Sequence, residues 1–473
     1  MNNLSQKISL LEVYRYLPQT NCGKCGEVSC MSFASKLIER KIILDKCTPL
    51  KEPKYKEKLN KLIELITPPV KEIVVGVGDK AIKVGGKEVM YRHELTFHNP
   101  TAIAIDISDK MEDEKIIERC KLIEDFKVTR IGQQLKLDMI AIRCASQSSE
   151  RFAQVTSLVV KNCDLPIILC SLDPEALRKA VEQKTVLERR PLLYAATENN
   201  WKEVGVLAKQ YKLPVTVFSP NDLSLMKSLV STLRKMGIED LLLDPGFFYE
   251  GKGLMDTINN LTMIRRSAIR KGDKDLGYPI LMVPAVVWAE EEPDPILYSY
   301  KEAYFASILL NRYADLLIMH TLEKWALLPV LTLRQAIYTD PVKPVSVESG
   351  LRIIGQPNEK SPVLITTNFA LTYYTVESDL EASKISCYLL VLDTGGLSVQ
   401  SSVAGGQFTA AGVKDLILSS NVENKVKYKK LIIPGLAARL KGDIEDLTNW
   451  EVMVGPRDSS EIKSFLEKYW KSS

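Results

Sequence analysis

Four cysteines near the N-terminus, Cys22, Cys25, Cys30 and Cys47, constrain this chain more than any other feature, because they follow the spacing C-x2-C-x4-C-x16-C within 26 residues. Three soft ligands on one tight loop and a fourth arriving after a short helix suit a cluster: the first three cap one face of a cubane and the last closes it. Gly23 and Gly26 let the backbone curl round the site, and loop amides left free can hydrogen-bond cluster sulfurs. The pattern predicts a [4Fe-4S] cluster. Zinc is the alternative, since four thiolates also make a tetrahedral site, although structural zinc sites often use two CxxC knuckles and this segment has one. Disulfides come third.

Residues 1–60 read as a small cluster domain. Ser5 can cap a helix carrying Ile8, Leu11, Val13, Tyr14 and Leu17, which Pro18 stops before the cysteine loop. A second helix is expected over 31–42. So few apolar residues make metal a large part of the stability of this piece. The lysine-rich run 49–58 reads as a solvated linker face, or, on the sharper reading, as a contact with an acidic partner.

The length of 473 residues suggests two to four domains. A formal net charge of +4 gives no reason to expect nucleic acid. Cys120, Cys144, Cys163, Cys170 and Cys387 lie in apolar or mixed settings and read as reduced core thiols. The N-terminal residues lack a basic and an apolar signal region, and no apolar run reaches about 18 residues, so no membrane span and a cytoplasmic location are expected.

Residues 70–340 predict a central (β/α)8 TIM-like barrel. The stretch 73–89 alternates like a hairpin; its glycines do not form a G-x-G-x-x-G that opens a helix. Short apolar runs then recur at 102–107, 139–143, 166–170, 191–195, 214–218, 241–243, 279–283 and 316–320, each followed by a helical pattern. Eight runs too short for helices point to parallel strands buried on both faces, and eight favours closure. Just past the expected strand ends stand Asp106, Ser146, Asp173, Asn199, Asn221, Asp244 and His320. Each reads first as a cap or turn residue; Asp106, Asn199 and Asp244 are the ones that could line a polar pocket for a heteroaromatic ligand such as a pterin. No nucleophile stands with a base, so a scaffold barrel without chemistry of its own is expected and no side chain is assigned as catalytic.

Residues 341–473 follow a joint rich in proline and predict an open α/β Rossmann-like domain of four or five parallel strands, at 363–366, 388–392, 430–433 and 451–454. Ligands of such sheets sit at the strand C-terminal edge. The loops there carry Thr366, the run Gly396, Leu397, Ser398 and Val399, then Gly435 and Gly455, small residues that let a flat, amide-rich ligand approach the backbone.

In this order of parts the chain resembles the large (gamma) subunits of corrinoid iron-sulfur proteins, components of the acetyl-CoA decarbonylase/synthase system. The resemblance spans the whole chain. It is most specific at Leu17-Pro18-Gln19-Thr20-Asn21-Cys22-Gly23-Lys24-Cys25-Gly26 with Cys30 and Cys47, and continues at Thr366-Thr367-Asn368-Phe369, Leu431-Ile432-Ile433-Pro434-Gly435 and Gly455-Pro456-Arg457. It implies that Cys22, Cys25, Cys30 and Cys47 bind a [4Fe-4S] cluster. It also implies that Thr366, Thr372, Gly396, Leu397, Ser398 and Val399, with Gly435 and Gly455 on the same edge, lie against a cobamide. The three histidines are His93, His98 and His320, so 341–473 offers cobalt no imidazole and the corrinoid would be base-off. The implied function is methyl carriage: a cob(I)amide accepts a methyl group from a methyltetrahydropterin through a pterin-dependent methyltransferase and donates it to the nickel-iron site of acetyl-CoA synthase. The cluster supplies electrons that rescue Co(II), received from a reductive activator or ferredoxin. A small (delta) subunit, also barrel-shaped, is the implied partner of the middle domain. A cluster-bearing electron-transfer or assembly subunit without corrinoid is the alternative.

Overall fold

The computed structural model describes residues 9–289, 294–341 and 344–470, which fall into two compact units. The first unit holds residues up to Lys127 and Lys136–Tyr338; the second holds Val128–Leu135 and the chain from Thr339 onward.

In the first unit, the cysteine segment is built from helices Leu10–Tyr16, Cys30–Ile38 and Lys56–Ile66. The first is capped at Ser9; Ser5 and Ile8 lie outside the described residues. The second is shorter than the 31–42 expected, because Arg40 takes a left-handed conformation at φ +55° and ends it. The lysine-rich run is not a linker: it leads into Lys56–Ile66, which buries Leu62 against Val13, Leu17, Phe33, Leu37 and Leu50. Its lysines face water and pair locally, Lys54 with Glu52 and Lys61 with Glu57.

Eight parallel strands follow, at Ala102–Ser108, Met139–Arg143, Ile167–Cys170, Leu192–Ala196, Val215–Phe218, Leu241–Asp244, Leu281–Met282 and Leu316–Met319. They pair in sequence order around the ring, with Leu316–Met319 beside Ala102–Ser108. A parallel bridge between Leu243 and Ile280 joins the two ends, so the sheet curls shut as the eight-fold pattern predicted. The strands are buried on both faces, which is why they read as unbroken apolar runs. Helices between them start on capping side chains: Ser148, Asp173, Asp222 and Asp294 each accept a hydrogen bond from a first-turn amide. The predicted hairpin forms, as antiparallel strands Glu72–Val75 and Ile82–Gly85, and closes the base of the barrel with Ile73, Val75 and Val84 packed on Ala102, Met139, Leu192 and Leu316.

A second hairpin, Lys127–Arg130 and Gln133–Lys136, emerges between the first barrel helix and the second barrel strand, yet its residues pack with the second unit. Ile131 and Gly132 form its turn at φ +50° and +67°, with Gly132 against the ring of Tyr374.

The second unit is an open five-stranded sheet in the order Gly350–Ile354, Cys387–Leu392, Val363–Thr367, Lys430–Ile433, Glu451–Val454. Four strands are parallel, at the expected positions. The fifth, Gly350–Ile354, corrects the all-parallel expectation: it runs antiparallel on the outer edge of Cys387–Leu392. Helices cover both faces, among them Ala370–Ala382, Ala410–Ser420 and Ile462–Tyr469, and a short helix, Val399–Gly405, begins where a loop was expected.

Gly85 tests the seating of the base hairpin. It has φ +85°, and a Cβ there would stand 2.4 Å from the carbonyl oxygen of Lys71 and 2.5 Å from Pro279 Cγ. Gly85→Ala is expected to lower the unfolding free energy by about 1–3 kcal/mol in urea titrations followed by circular dichroism. An unchanged midpoint would show that the hairpin does not seat this way.

Candidate functional site

The cysteine loop is shaped by left-handed residues. Gln19, Asn21, Gly23 and Gly26 have φ of 61°, 47°, 68° and 87°, which turns the chain back on itself. The Asn21 side chain accepts the amide of Cys30 at 2.8 Å and ties the loop to the start of helix Cys30–Ile38, which Ser29 caps. Cys47 returns between two 3-10 turns, Leu44–Lys46 and Thr48–Lys51. Cys22, Cys25, Cys30 and Cys47 consequently line one cavity with Thr20, Glu27 and Phe33. All four are free thiols; Cys22 is exposed, Cys30 and Cys47 buried. The Lys24 amide, then the Thr20 hydroxyl, hold the Cys22 thiol below its usual range, whereas burial and then the neighbouring thiolates push Cys47 up. Among the described residues no three histidine, cysteine, aspartate or glutamate side chains are grouped as one metal ion requires.

A second cavity, of about 420 Å3, opens along the C-terminal edge of the sheet in the second unit. Thr366 is the next-to-last residue of the central strand, Val363–Thr367; its hydroxyl is buried and has no hydrogen-bond partner, and the residue lines the cavity. Thr372 on helix Ala370–Ala382, Ser398, Val399 and Gly455 also line it. Gly396, Leu397 and Gly435 do not. Instead, Gly396 gives its amide to Asn368 Oδ1 at 3.0 Å, and the Leu397 carbonyl accepts the Thr394 hydroxyl at 2.9 Å. Gly435 packs backbone to backbone on the last glycine loop, its amide donating to Pro456 O at 2.9 Å, and a Cβ there would meet Gly455 O at 2.9 Å.

Asn368 organises this edge. Its side-chain oxygen accepts the amides of Thr394 and Gly396 and the Thr394 hydroxyl, while its nitrogen donates to Asp393 at 2.9 Å. One buried amide thus fixes the loop that presents Ser398 and Val399. Leu371, Gln400, Leu436 and Asp458 are among the other wall residues and carried no sequence signal; Arg457 lines it too. Only Arg457 carried a signal, its place after the Gly455-Pro456 turn.

At the barrel mouth the candidates separate. Asp173 caps its helix, Ser146 donates to Asp109 at 2.5 Å, Asn221 accepts from Asn260 at 2.9 Å, and Asn199 is exposed while Asn200 is the buried neighbour. Asp106 and His320 meet: His320 Nδ1 lies 2.5 Å from Asp106 Oδ1, with Arg143 Nε 3.1 Å from the other oxygen. Burial would raise Asp106, but His320, Arg143 and Arg119 outweigh it and hold the carboxyl below its usual range. Glu302 accepts the amides of His320 and Thr321 and the Trp288 indole, yet burial pushes it up to about 7. Asp244 stands apart, accepting from Tyr194 and Gly246 at 2.8 Å each, and is also pushed by burial to about 7. Asn199 is thus exposed, while the buried Asp106 and Asp244 share no hydrogen-bond partner. No helix is long and apolar enough to cross a membrane among the described residues.

A four-thiol loop, a closed parallel barrel and an open sheet with an edge cavity define a multi-domain protein with an iron-sulfur type segment and a separate cavity on its second unit. Residues 17–49 match the family described as "Putative Fe-S cluster", and residues 72–466 match the family described as CO dehydrogenase/acetyl-CoA synthase delta subunit. The acetyl-CoA decarbonylase/synthase complex subunit gamma of Archaeoglobus fulgidus is 49% identical over 98% of this chain and 98% of its own. Subunit gamma 1 of the same complex from Methanosarcina thermophila is 48% identical, again over 98% of each. Dihydropteroate synthase from Thermus thermophilus aligns with 56% of this chain and 100% of its own at 16% identity, with a TM-score of 0.40, too low to bear on function. The delta-subunit family begins after the cysteine segment, whereas the gamma relatives span it as well. The chain belongs to the gamma-subunit family of acetyl-CoA decarbonylase/synthase complexes.

The buried carboxyls make stability pH-dependent. Asp244 and Glu302 hold protons in the folded protein up to about pH 7, whereas unfolded carboxyls release them near pH 4, so stability falls as pH rises between these values. Urea unfolding measured from pH 4 to 7 is expected to show a shallower decline in Asp244→Asn and in Glu302→Gln, each change amounting to a few kcal/mol at most. A slope equal to wild type in both would show that neither carboxyl is held protonated.

Proposed function

We propose that this chain is the methyl-carrying subunit of its complex, with a [4Fe-4S] cluster on the N-terminal cysteines and a base-off cobamide on the edge of the second unit. The observation that carries the reading is the Thr366 hydroxyl, buried and unpartnered on a residue that lines a 420 Å3 cavity at the strand edge. A hydroxyl left without a partner costs about 1–3 kcal/mol, which a polar ligand would recover. A cobamide is larger than the cavity, so the wall would hold one part of it. Thr366 and Thr372 would meet its amide arms, Ser398, Val399 and Gly455 its edge, and Arg457 would offset the charge of its phosphodiester. The absence of histidine from 341–473 leaves imidazole out of this site.

When bound, the cobamide supplies a cobalt that passes a methyl group from a methyltetrahydropterin to the nickel-iron site of acetyl-CoA synthase, and the cluster supplies single electrons that keep the cobalt reduced. The four cysteines share one cavity, and their spacing, with one CxxC in place of the two knuckles common in structural zinc sites, supports a cluster. Partners on this reading are the small delta subunit, a pterin-dependent methyltransferase, acetyl-CoA synthase and a reductive activator or ferredoxin. On this reading the barrel serves as a scaffold, and its mouth carboxyls are held by neighbouring side chains and amides.

Metal analysis and absorption spectra of protein purified without oxygen test this. About four iron and one cobalt per chain are expected, the cobalt after reconstitution with cobamide and the small subunit. Cys47→Ser is expected to lower the iron content and loosen the N-terminal helices to proteolysis, while Thr366→Val weakens cobamide retention about threefold to tenfold and leaves iron unchanged. Iron without cobalt after reconstitution would sink the methyl-carrier reading and leave the electron-transfer subunit in its place.

A further inference from the structure

At the base of the barrel, away from the strand C-terminal ends, lies a cavity of about 260 Å3 walled by Lys87, Phe97, Arg265, Tyr313, Asp315 and Tyr338. Its charged side chains are among the most deeply buried in the protein: Arg265 and Asp315 are each 1% exposed and Lys87 is 6% exposed. Arg265 Nη2 donates to Tyr313 O at 2.9 Å and to Asp315 Oδ2 at 2.6 Å, but its Nε and Nη1 have no acceptor. Asp315 Oδ2 also accepts the Ile280 amide at 2.9 Å; Oδ1 has no hydrogen bond and stands 3.9 Å from Lys87 Nζ. Lys87 donates to Asn99 O at 2.7 Å and to the Tyr338 hydroxyl at 2.8 Å, under the rings of Phe97 and Tyr338.

With Lys87 protonated, two buried cations face one buried carboxylate and the group is one negative charge short; with Lys87 neutral, Arg265 and Asp315 balance. Three donors on Arg265 and one acceptor on Asp315 are unused. A structural role does not account for this, because a buried ion pair adds little stability and each unfilled charged donor subtracts from it. Tyr313 adds strain, holding φ at +74° where a bulky residue is rarely found. Burial pushes the Lys87 ammonium down to about 7, Asp315 holds it up in part, and Arg265 lowers it further.

We propose that this cavity binds a small oxyanion, a carboxylate or a phosphate, that also carries a hydroxyl. The oxyanion fills the open donors of Arg265 and approaches Lys87, and the hydroxyl donates to Asp315 Oδ1. Aromatic walls exclude water and strengthen the ionic contacts. Barrel active sites lie at the opposite end, so this is an effector site and not a second centre of reaction. The assignment is independent of whether the second unit holds a cobamide.

Calorimetric titration of the full chain, purified without oxygen and held at constant ionic strength with sodium chloride, tests it with two probes, inorganic phosphate and glycolate. Saturable one-site binding of at least one is expected. Tighter phosphate binding assigns a phosphorylated hydroxy compound, tighter glycolate a hydroxy acid. Arg312→Ala, an exposed change on the cavity rim, and Lys87→Met are each expected to weaken binding tenfold or more. No saturable heat with either probe would mean that water alone fills the cavity and would overturn the proposal, as would binding that both variants leave unchanged.

Discussion

A parallel strand pair cannot be joined by a tight turn. Each crossover needs a dozen residues or more, usually a helix that covers the sheet, and this one requirement shapes both units. It buries the strands on both faces and carries every strand but the antiparallel Gly350–Ile354 in one direction within its sheet, so the loops that leave the parallel strands' C-termini collect on one side. In the second unit that side holds Thr366, the Asn368-clamped loop and Gly455. In the barrel it holds Asp106, Asp244 and His320. One topological rule yields both edges, and what differs is how the polar groups there are used.

At the barrel mouth they are used up. Asp106 spends its oxygens on His320 and Arg143, Glu302 on two amides and an indole, Asp244 on a phenol and an amide. At the sheet edge Asn368 is likewise satisfied, but it lies behind the cavity, and the threonine hydroxyl of Thr366 in front of it is not. The carboxyls of the mouth answer to their own neighbours, whereas the edge keeps a buried hydroxyl without a partner on a residue that lines a cavity.

The strands of both parallel sheets were legible because burial on two faces writes itself as unbroken apolar runs. Where burial is one-sided the signal failed. Gly350–Ile354, an edge strand, keeps Leu351 only partly covered and falls inside the proline-rich joint, and the hairpin Lys127–Lys136 buries little beyond Leu135 and leaves no pattern to assign. Lys56–Ile66 was hidden by the lysines at its start, which follow those at 51 and 54 and mask the spacing of Leu59, Leu62 and Ile66 that faces the core. Val399–Gly405 was masked by glycines at either end. The four cysteines were read directly, since their spacing is local. Threonines and glycines of the sheet edge were also visible, but which of them face the cavity depends on Asn368 and on the packing of Gly435 against Pro456, and neither is written in local pattern. The charge deficit at the barrel base could not be read at all, because Lys87, Arg265 and Asp315 are far apart in the chain.

The hairpin lent by the barrel region to the second unit changes how the chain must be assembled. Three covalent crossings, not one, connect the two units, at 127–128, 135–136 and 338–339. During synthesis the hairpin leaves the ribosome roughly two hundred residues before the rest of the unit it packs with, while the barrel around its root is still being made. Its strands are polar and short, the kind of edge that waits without recruiting stray partners. The second unit is thus a late guest at a table set early, and a fragment that begins at residue 341 would arrive without part of its own fold.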